Sequence, residues 1–302
     1  MKKSLLIRLH SVFLIATALF AGPYDPAQGG DVYRWKDNNG RTYYSDHAVE
    51  GAERTRIDAA PTVHVVKRVF DGDTVLLNNG EKVRLLGINT PEVDSPRKIG
   101  EPGGEEAKLW LQQRLSGRTV RLEQDGELRD KYQRLLAHVF TASGQHINLA
   151  LVEAGLAFVD IHPPNLKYTQ ALTQAENRAE QARRGIWGMT DYRPKPVEAL
   201  IARPMLRGWQ RLTGVPSAII ASKRYLRLKF SDRFEVHIER ENLNLFPPLE
   251  NYLHRNIEVR GWLSRRRGDY SIFVRHPSAL VALIDGNPAF FNQGKVPMLM
   301  RH

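Results

Sequence analysis

The chain has 302 residues, enough for about two domains, and 42% of them are hydrophobic, which excludes general disorder. It contains no cysteine, which excludes disulfide scaffolds, thiolate zinc sites, iron–sulfur clusters and cysteine nucleophiles. The net charge of +11 is concentrated in residues 200–302, which hold 17 basic and 8 acidic residues. This excess favours a polyanionic partner, either nucleic acid or an anionic membrane surface; the alternative is a solvated surface that keeps the protein soluble.

The first 21 residues have the pattern of a secretory signal peptide. Basic residues come first, an apolar stretch at residues 12–20 follows, and Ala21 is a small residue suited to cleavage. The apolar stretch is shorter than a membrane-spanning helix requires. The sequence therefore predicts an exported chain, periplasmic or secreted, without stable membrane insertion after cleavage. The alternative is a chain that stays anchored by an uncleaved signal.

Residues 31–57 are predicted to form a small aromatic β-hairpin module. Trp35 precedes an Asn-Asn-Gly turn at residues 38–40, Tyr43 follows it, and Asn-Gly turns favour tight antiparallel hairpins. The module resembles one of unknown function found near the N-termini of many secreted bacterial proteins. Residues 47–61 are interpreted as a linker.

Residues 62–190 are predicted to form a domain of five strands and three helices. Turn residues and β-branched stretches delimit the strands, and apolar residues at helical spacing indicate the helices. The strands are expected at residues 63–70, 74–77, 82–88, 119–123 and 135–140, and the helices at residues 105–115, 148–154 and 168–184, with Asn148 as the cap of the second helix. This order favours a small Greek-key barrel with helices packed against it.

The last third of the chain is again rich in predicted strands. Residues 190–208 contain three prolines and are interpreted as a linker or an interdomain strap. In residues 209–284 the pattern favours a second OB-like barrel. The strands of this barrel are expected at residues 217–221, 225–230, 234–238, 257–263 and 270–274, with a short helical piece at residues 249–254. Residues 285–302 are expected to be a poorly ordered tail. The fold class is therefore mainly β with α.

The turn Asp71-Gly72-Asp73 joins the first two strands of residues 62–190. Two carboxylates that flank a glycine form a compact set of oxygen ligands for a hard cation. The alternative is a structural turn, because Asp-Gly-Asp is common at turns.

A second cluster follows at the end of the third strand. Arg84 lies within an apolar strand, where an unpaired guanidinium is costly, so it requires either a structural carboxylate or a substrate phosphate. Pro91 keeps Thr90 out of the helical region and ends the strand. Asn89, Thr90 and Glu92 are therefore expected at the mouth of the strand.

A third cluster, residues 130–134, brings Lys131, Tyr132 and Arg134 to the start of the last strand. Phosphodiester hydrolysis develops negative charge on the phosphoryl oxygens, which cations and guanidinium groups stabilise. Arginine suits this role because its planar fork binds phosphate through two hydrogen bonds. A glutamate can position or deprotonate the attacking water.

Six segments of residues 62–190 resemble the staphylococcal nuclease family in their order and spacing. They are VFDGDTV, VRLLGINTPE, GGEEA, DKYQRLLA, LALVEAGLA and GIWG. The resemblance implies an OB-fold barrel with three helices and a calcium-dependent phosphodiesterase that acts on DNA and RNA. It also implies cleavage of the 5′ P–O bond, which leaves 3′-phosphate ends.

The resemblance also implies which residues bind the metal. Asp73 matches the primary metal ligand, and Thr90 matches the residue whose backbone carbonyl binds the metal. Asp71 matches an aspartate that lies next to the metal ligands without being one of the direct ligands. Asn89 stands where the family has a second aspartate ligand. Because ligand charge sets calcium affinity, the neutral amide of Asn89 is expected to weaken calcium binding.

The same resemblance implies the catalytic and phosphate-binding residues. Arg84 and Arg134 match two phosphate-contacting arginines, and Glu92 matches the general base. Lys131 and Tyr132 match residues that hold the terminal phosphate of a bound nucleotide. Gln133 replaces a glycine that is common in the family, and residues 161–165 do not clearly match its tyrosine-bearing substrate loop.

The predicted second barrel resembles nucleic-acid-binding OB-fold domains. Arg265, Arg266 and Arg267 lie between Trp262 and Tyr270, and Phe273 and Arg275 follow. Such interleaved basic and aromatic side chains can bind phosphates and stack on bases. The alternative is that the aromatic residues belong to the core and the arginines form a solvated turn. Four scattered histidines are interpreted as structural or surface residues: His162, His237, His254 and His276.

The sequence predicts an exported, calcium-dependent nuclease whose basic second barrel binds the DNA or RNA substrate. The alternative is a nucleic-acid-binding module in which Asn89 has weakened or abolished catalysis. A third class, an envelope-structural protein, is suggested only by the N-terminal hairpin. The presence of Arg84, Glu92 and Arg134 together favours the enzyme.

Overall fold

The computed structural model describes residues 30–36, 42–45, 50–57, 63–95, 99–202, 206–284 and 287–289. The chain divides into two compact units, Met1–Thr62 and Val63–His302. The predicted signal segment and the predicted turn at residues 38–40 lie outside the described residues. Within the described residues, no helix is both long enough and apolar enough to cross a membrane.

The first unit contains a three-stranded antiparallel sheet. Strands β1 (Gly30–Lys36), β2 (Thr42–Ser45) and β3 (Glu53–Ile57) lie in the order β2-β1-β3. Trp35 pairs with Tyr43 across β1 and β2, which confirms the predicted hairpin. The interpretation of residues 47–61 as a linker is wrong for β3, which pairs with β1. Alternating charged residues conceal this short strand in the sequence, although Thr55 and Ile57 favour strand structure.

The second unit begins with a closed five-stranded barrel, which we call the first barrel. Its hydrogen-bonded order is β4-β5-β6-β9-β8, in which β6 and β9 are parallel. The strands are β4 (Val63–Val69), β5 (Thr74–Leu77), β6 (Lys82–Leu85), β8 (Thr119–Glu123) and β9 (Leu135–Thr141). On β6, the side chains of Val83 and Leu85 point into the barrel and are buried, while Arg84 between them points outward. The predicted barrel is therefore confirmed.

Three helices pack against this barrel, as the sequence predicts. They are α1 (Gly104–Leu115), α2 (Ile147–Glu153) and α3 (Thr169–Gln181). The buried face of α1 carries Ala107, Leu111 and Leu115 at i, i+4 spacing.

The role predicted for Asn148 is wrong, because it lies inside α2 and His146 is the N-cap residue. Its buried amide instead accepts a hydrogen bond from Val139 N and donates one to Leu86 O. Asn148 therefore ties α2 to the barrel.

A short strand pair extends from the rim of the first barrel. Strand β7 (Ile88–Asn89) pairs antiparallel with β10 (Phe158–Val159). The segment predicted as one strand at residues 82–88 is divided here by Gly87, whose φ of +74° is in the left-handed region. This break turns the chain and brings Asn89 to the barrel mouth.

A second β-rich structure follows, which we call the second barrel. Its strands are β11 (Lys195–Pro196), β12 (Trp209–Gly214), β13 (Ala218–Ala221), β14 (Tyr225–Ser231), β15 (Phe234–Glu239), β16 (Ile257–Arg266), β17 (Asp269–Phe273), β18 (Leu280–Ile284) and β19 (Asn287–Ala289). A short helix, α4 (Ala199–Ala202), follows β11, and 3₁₀ turns at Arg240–Leu245 and Leu249–Tyr252 precede β16.

The pairing order of the second barrel repeats that of the first. The hydrogen-bonded order is β12-β16-β17-β15-β14-β13, and β12 and β13 at its two ends do not pair with each other. These two strands are consecutive in the chain. Together they correspond to β4 of the first barrel. The strands β15 and β17 form the corresponding parallel pair. This order confirms the OB-like expectation. Strands β11, β12 and β18 were not predicted, and residues 287–289 of the expected tail form β19, which pairs with β18.

An aromatic cluster lies between the two barrels. The rings of Phe158 and Trp209 stack with centroids 3.6 Å apart, and Trp187 and Tyr192 pack edge-on against Phe158. The Tyr192 hydroxyl donates a hydrogen bond to Pro102 O in the first barrel domain. The contacts of Tyr192 therefore favour the predicted strap over a free linker for the described part of residues 190–208.

A buried ion network lies beside this cluster. Arg260 of β16 binds Glu176 at 3.1 Å and Glu180 at 2.7 Å, both on α3. Glu258 accepts hydrogen bonds from Arg260 Nε at 2.7 Å and from Arg211 Nε at 2.7 Å, and Arg211 also binds Glu180. Burial opposes the charge of Glu258, but the two arginines outweigh it and lower its pKa. The network therefore attaches α3 to the second barrel.

Candidate active site

A cleft of about 940 Å³ lies at the boundary of the two barrels and is lined by residues of both. Nine of the twelve predicted site residues line it, and all nine belong to the first barrel domain. They are Asp71, Asp73, Arg84, Asn89, Thr90, Glu92, Lys131, Tyr132 and Arg134. Three separate sequence clusters thus meet in one place, which the strand order β5-β6-β9 explains because these strands are neighbours.

The turn between β4 and β5 places Asp73 at the bottom of the cleft. Asp73 N donates a hydrogen bond to Asp71 Oδ1 at 3.0 Å, which fixes the turn. A Cβ atom on Gly72 would lie 2.7 Å from both Ala107 Cβ and Thr90 Cγ2, so the turn can approach α1 and Thr90 only with glycine at this position. Asp73 is 6% exposed.

The Asp73 carboxylate has several donors. Its Oδ2 accepts hydrogen bonds from Thr90 N at 2.9 Å and from Thr90 Oγ1 at 3.2 Å, while Oδ1 accepts one from Thr74 Oγ1 at 3.0 Å. Arg84 Nε lies 3.2 Å from the same Oδ1. The sequence analysis gave Arg84 either a structural carboxylate or a substrate phosphate as its partner. In this structure its partner is the carboxylate of Asp73.

The Arg84 guanidinium connects the barrel wall with the loop that follows it. Its Nη2 donates to Asn89 Oδ1 at 2.8 Å, and its Nη1 donates to Leu85 O at 2.7 Å. These contacts hold a positive charge at the mouth of the barrel. Arg84 is 15% exposed, so the charge borders the cleft and remains largely shielded from bulk water.

The oxygen atoms around Asp73 fit the ligand preference of calcium. Asn89 Nδ2 donates to Thr90 O at 3.3 Å, so the amide and the carbonyl lie side by side. Among the described residues, no group of three or more histidine, cysteine, aspartate or glutamate side chains is placed to hold a metal ion. A cation at this point would therefore depend on neutral oxygen atoms of Asn89 and Thr90 as well as on carboxylates, a combination that calcium accepts.

Asp71 adds a second carboxylate to this end of the cleft. Burial and the neighbouring Asp73 raise the pKa of Asp71 to about 7. Two carboxylates close together in a poorly solvated place repel each other, and a bound cation relieves that repulsion. The donor set therefore fits a hard divalent cation.

Glu92 is positioned by the N-terminus of α1. Its backbone N donates to Glu101 Oε2 at 3.1 Å, and its carbonyl accepts from Glu101 N at 2.8 Å. A Cβ atom on Gly104 would lie 2.3 Å from Glu92 O, so glycine permits the close approach of the helix. The half-buried Glu92 side chain lines the cleft.

Asp130 organises the loop before β9. Its Oδ1 accepts hydrogen bonds from Tyr132 N at 2.9 Å and Arg134 N at 3.0 Å, and its Oδ2 binds Arg134 Nε at 2.7 Å. Burial opposes the charge of Asp130, but the contacts with Arg134 outweigh it and lower its pKa. Gln133 has a φ of +63°, in the left-handed region that favours glycine, so the loop retains its shape despite the replacement noted in the sequence.

Arg134 therefore lines the cleft close to the Asp71-Asp73 turn. Its Nη1 lies 3.5 Å from Thr74 Oγ1, which in turn donates to Asp73. Lys131 and Tyr132 lie at the exposed edge of the same loop, and Tyr132 is 68% exposed. The cleft thus places two guanidinium groups near one carboxylate cluster, with an ammonium group and a phenol at its rim.

Asp160 is a cleft residue that the sequence analysis missed. It follows β10, and its Oδ2 lies 3.0 Å from Nε2 of His162, which was interpreted as structural or surface. Burial opposes its ionisation, but His162, Arg84 and Arg275 outweigh burial and lower the pKa of Asp160 to about 2. No motif marks Asp160, because its position follows from the pairing of β10 with β7.

The second barrel contributes a wall of the cleft, but the three predicted hairpin arginines are not part of it. Arg265, Arg266 and Arg267 are exposed at the β16–β17 hairpin and are not among the lining residues. Other residues of β16, β17 and the following turn line the cleft, among them Trp262, Ser264, Phe273, Arg275 and His276. His276 was interpreted as a structural or surface residue, and its side chain accepts a hydrogen bond from Ser278 N.

Comparison with known proteins agrees with this arrangement. Residues 82–189 match the family model described as staphylococcal nuclease homologue, and residues 15–68 match the model of a domain of unknown function, DUF4124. Asp71 and Asp73 precede the first of these matches, but they belong to the same barrel.

Several similar curated proteins are named as nucleases. The chain is 36% identical over 138 residues to a thermonuclease of Staphylococcus intermedius, which covers 45% of this chain and 82% of that protein. It is 34% identical over 133 residues to a thermonuclease of Staphylococcus hyicus, covering 43% and 78%. Endonuclease YncB of Bacillus subtilis is 29% identical over 200 residues, covering 63% and 94%. The chain therefore belongs to the staphylococcal nuclease family and is a nuclease that hydrolyses phosphodiester bonds.

Proposed function

We propose that this nuclease is exported, depends on calcium, and hydrolyses DNA, RNA or both to leave 3′-phosphate ends. The observation that carries the proposal is the meeting of Asp73, Arg84 and Asn89 with Glu92 and Arg134 in one cleft. Oxygen ligands, guanidinium groups and a carboxylate at one site supply what phosphodiester hydrolysis needs. Each residue role below is part of the proposal.

The calcium ligands would be Asp73, Asn89 Oδ1 and Thr90 O, with Asp71 nearby. When bound, calcium offsets the negative charge that develops on the phosphate during hydrolysis. The Asn89 amide is already shared between Arg84 and Thr90 O, so its orientation is held by the protein. A neutral amide in place of a carboxylate supports weak calcium affinity.

The protein's own residues would orient the phosphodiester and transfer the proton. Arg84 and Arg134 hydrogen-bond the phosphoryl oxygens and stabilise the pentacoordinate transition state. Glu92 accepts a proton from the attacking water at its carboxylate oxygen. Lys131 and Tyr132, at the rim, bind a neighbouring phosphate, and the hairpin arginines Arg265, Arg266 and Arg267 attract more distant parts of the polymer.

The second candidate function is nucleic-acid binding with weakened or lost catalysis. The contacts of Arg84 favour it, since this guanidinium already bonds Asp73 and Asn89 and must exchange a partner to bind phosphate. Retention of Glu92 and Arg134 in the same cleft favours the enzyme. The rate of cleavage separates the two candidates, because both predict binding.

Export is proposed from residues 1–21 alone. Their basic start, apolar stretch and small final residue support a signal peptide, which would place the protein in the periplasm or outside the cell. If the signal is not cleaved, the chain stays anchored to the membrane. Mass spectrometry of the protein recovered outside the cytoplasm tests this, and a mature N-terminus at residue 22 is expected.

The experiment that tests the function is digestion of supercoiled plasmid DNA and of a labelled RNA by residues 22–302. We expect cleavage with calcium and none with a chelator. A 5′-labelled oligonucleotide product that a phosphatase shifts in a sequencing gel identifies the 3′-phosphate. Cleavage that is unchanged by the chelator would contradict the calcium dependence, and products with 3′-hydroxyl ends would contradict the proposed bond.

A further inference from the structure

We infer that the second barrel forms part of the substrate site through Phe273 and Arg275, which bind the nucleic-acid strand as it leaves the catalytic cleft. Phe273 stacks on a base, and Arg275 binds a backbone phosphate. The inference rests on the proposed function and extends it, because these residues lie outside the segment that matches the nuclease family. It places this contact on the cleft wall, whereas the β16–β17 hairpin is proposed to attract only more distant parts of the polymer.

The position of both residues follows from the alternation along β17. Tyr270 and Ile272 point into the second barrel and are buried, so Phe273, one residue further on, points outward. Val274 is buried again, and its N donates to His237 O, which anchors the end of the strand. Arg275 follows directly, and both outward residues line the cleft that contains Asp73 and Arg134.

Phe273 presents an aromatic surface at the edge of the cleft. Its ring is 38% exposed and packs edge-on against His237 and Tyr225, with ring centroids 5.0 and 5.6 Å apart. The two neighbours support the ring from the side. An exposed aromatic ring held in this way can accept an unpaired base by stacking.

Arg275 supplies a cation whose charge is not neutralised by direct contact. It forms no hydrogen bond or ion pair with any described residue, and its electrostatic partner in the cleft is Asp160. Asp160 is itself bonded to His162 and influenced by Arg84. Arg84 and Arg275 therefore both lie near one carboxylate in the same cleft, where two phosphates of a strand can each meet a guanidinium.

The wall that carries these residues is fixed relative to the catalytic residues. The ion network ties β12 and β16 to α3, and Phe158 stacks on Trp209 at the same boundary. Since β16 and β17 are hydrogen-bonded neighbours, the position of β17 is set by the same contacts. A fixed spacing is what a site needs to hold a strand in register with the bond that is cut.

The other cations of the second barrel are less suited to this role. Arg224, Arg227 and Lys229 on β14 and beside it are paired with Glu239, Glu235 and Asp232. Arg265, Arg266 and Arg267 are exposed but do not line the cleft. The structure thus distinguishes a cleft arginine from hairpin arginines of equal charge.

The test measures binding of a fluorescent single-stranded oligonucleotide by residues 22–302 in chelator, where no cleavage is expected. For Arg275→Ala we expect about tenfold weaker binding, the effect of losing one charge-assisted phosphate contact, and a salt dependence shallower by about 0.7 in log–log slope. For Phe273→Leu we expect a loss of about tenfold with an unchanged salt slope, and Phe273→Tyr should restore most of the affinity.

Arg233→Ala is the matched control. It removes the same charge from an exposed position of the second barrel that does not line the cleft. If Arg275→Ala and Phe273→Leu bind no more weakly than Arg233→Ala, the inference is overturned. If Arg275→Gln, which keeps the side-chain length, has the salt slope of the unaltered protein, the assigned phosphate contact is also overturned.

Cleavage with calcium provides the separate readout for the proposed function. If the unaltered protein does not cut but the binding changes occur as expected, the inference holds and the proposed catalysis fails. If it cuts and Arg275→Ala raises KM for a long oligonucleotide but not for a dinucleotide, both hold. If it cuts with KM unchanged in Arg275→Ala on both substrates, the inference alone fails.

Discussion

Arg84 is held by Asp73 and Asn89 at the mouth of the first barrel, where it can replace one of these partners with a phosphoryl oxygen. For Arg84→Ala we expect at least a hundredfold lower turnover, because a guanidinium that stabilises developing charge contributes about 3 kcal/mol or more to the barrier. The fold should survive, since Asp73 keeps its hydrogen bonds from Thr74 and Thr90. Initial rates on a labelled oligonucleotide and a thermal melt check both statements.

Arg118→Ala is the control for this measurement, because Arg118 is exposed in the same domain and does not line the cleft. A rate for Arg84→Ala within a few-fold of the control would show that Arg84 has only a structural role.

Asn89 is the residue at which this chain departs from the ligand set that the family resemblance implies. For Asn89→Asp we expect a lower half-saturating calcium concentration, because a carboxylate adds one negative charge to the ligands. The change also strengthens the contact with Arg84 Nη2, which now bonds the neutral amide at 2.8 Å. Titration of activity with calcium measures the effect, and an unchanged midpoint would exclude Asn89 as a ligand.

His138 and His146 form a hydrogen-bonded pair, with Nδ1 and Nε2 3.2 Å apart, beside Phe140 and Tyr168. Burial lowers the pKa of each histidine from 6.5 to about 4. Between these values the unfolded chain binds more protons than the folded one. The pair's contribution to the free energy of unfolding is therefore fully present above pH 6.5 and decreases as the pH falls toward 4.

The corresponding test compares urea unfolding at pH 7 and pH 5. The free energy of unfolding should decrease less between these values in His146→Gln, which can still donate to His138 Nδ1 but does not titrate. An equal decrease in both proteins would mean that the pair does not cause the pH dependence. Glu123 and Arg121, the charged neighbours of this pair, remain in both proteins.

At the level of single residues, the sequence predicted which residues lie close together where they belong to one motif at the end of a strand. Asp73, Arg84 and Thr90 meet because β5 and β6 are adjacent, which a turn-rich strand pattern already indicates. Asp160 and Arg275 could not be predicted in this way. Their positions depend on the pairing of β10 with β7 and on contacts between barrels, and neither leaves a local pattern in the sequence.

At the level of elements, helix α3 connects the first barrel to the second through buried charges. Arg260 is 4% exposed and bonds Glu176, Glu180 and Glu258. For Arg260→Ala we expect a loss of about 3–5 kcal/mol in unfolding free energy, because removal of one partner leaves buried carboxylates uncompensated. Chemical denaturation measures this.

Arg233→Ala, an exposed position of the same barrel, should change the unfolding free energy by no more than about 0.5 kcal/mol. A similarly small change in Arg260→Ala would show that the network does not stabilise the attachment of α3.

Two of the strands that the sequence analysis missed are rich in polar residues. Strand β12 carries polar residues such as Gln210 and Arg211 that are buried by partners far away in the chain, so its composition does not indicate a strand. Strand β3 is short and rich in charge. By contrast, β5, β8, β9 and the helices have regular apolar spacing, and the structure confirms them to within a few residues.

At the level of the whole molecule, the two barrels of the second unit share one cleft and one buried boundary. The aromatic cluster and the ion network together join them, so removal of residues 200–302 would expose Phe158 and leave Glu176 and Glu180 without their arginines. Point substitutions on the cleft wall therefore test the second barrel more cleanly than truncation does.

The central claim is that the cleft between the barrels is the catalytic site, and Glu92→Gln tests it most directly. The change removes the proposed proton acceptor and keeps the size of the side chain, while the backbone contacts of Glu92 with Glu101 remain. Single-turnover cleavage of a labelled oligonucleotide with saturating calcium is the measurement. We predict a rate at least about a hundredfold lower, with oligonucleotide binding and the melting temperature unchanged. A rate within a few-fold of the unaltered protein would contradict the claim.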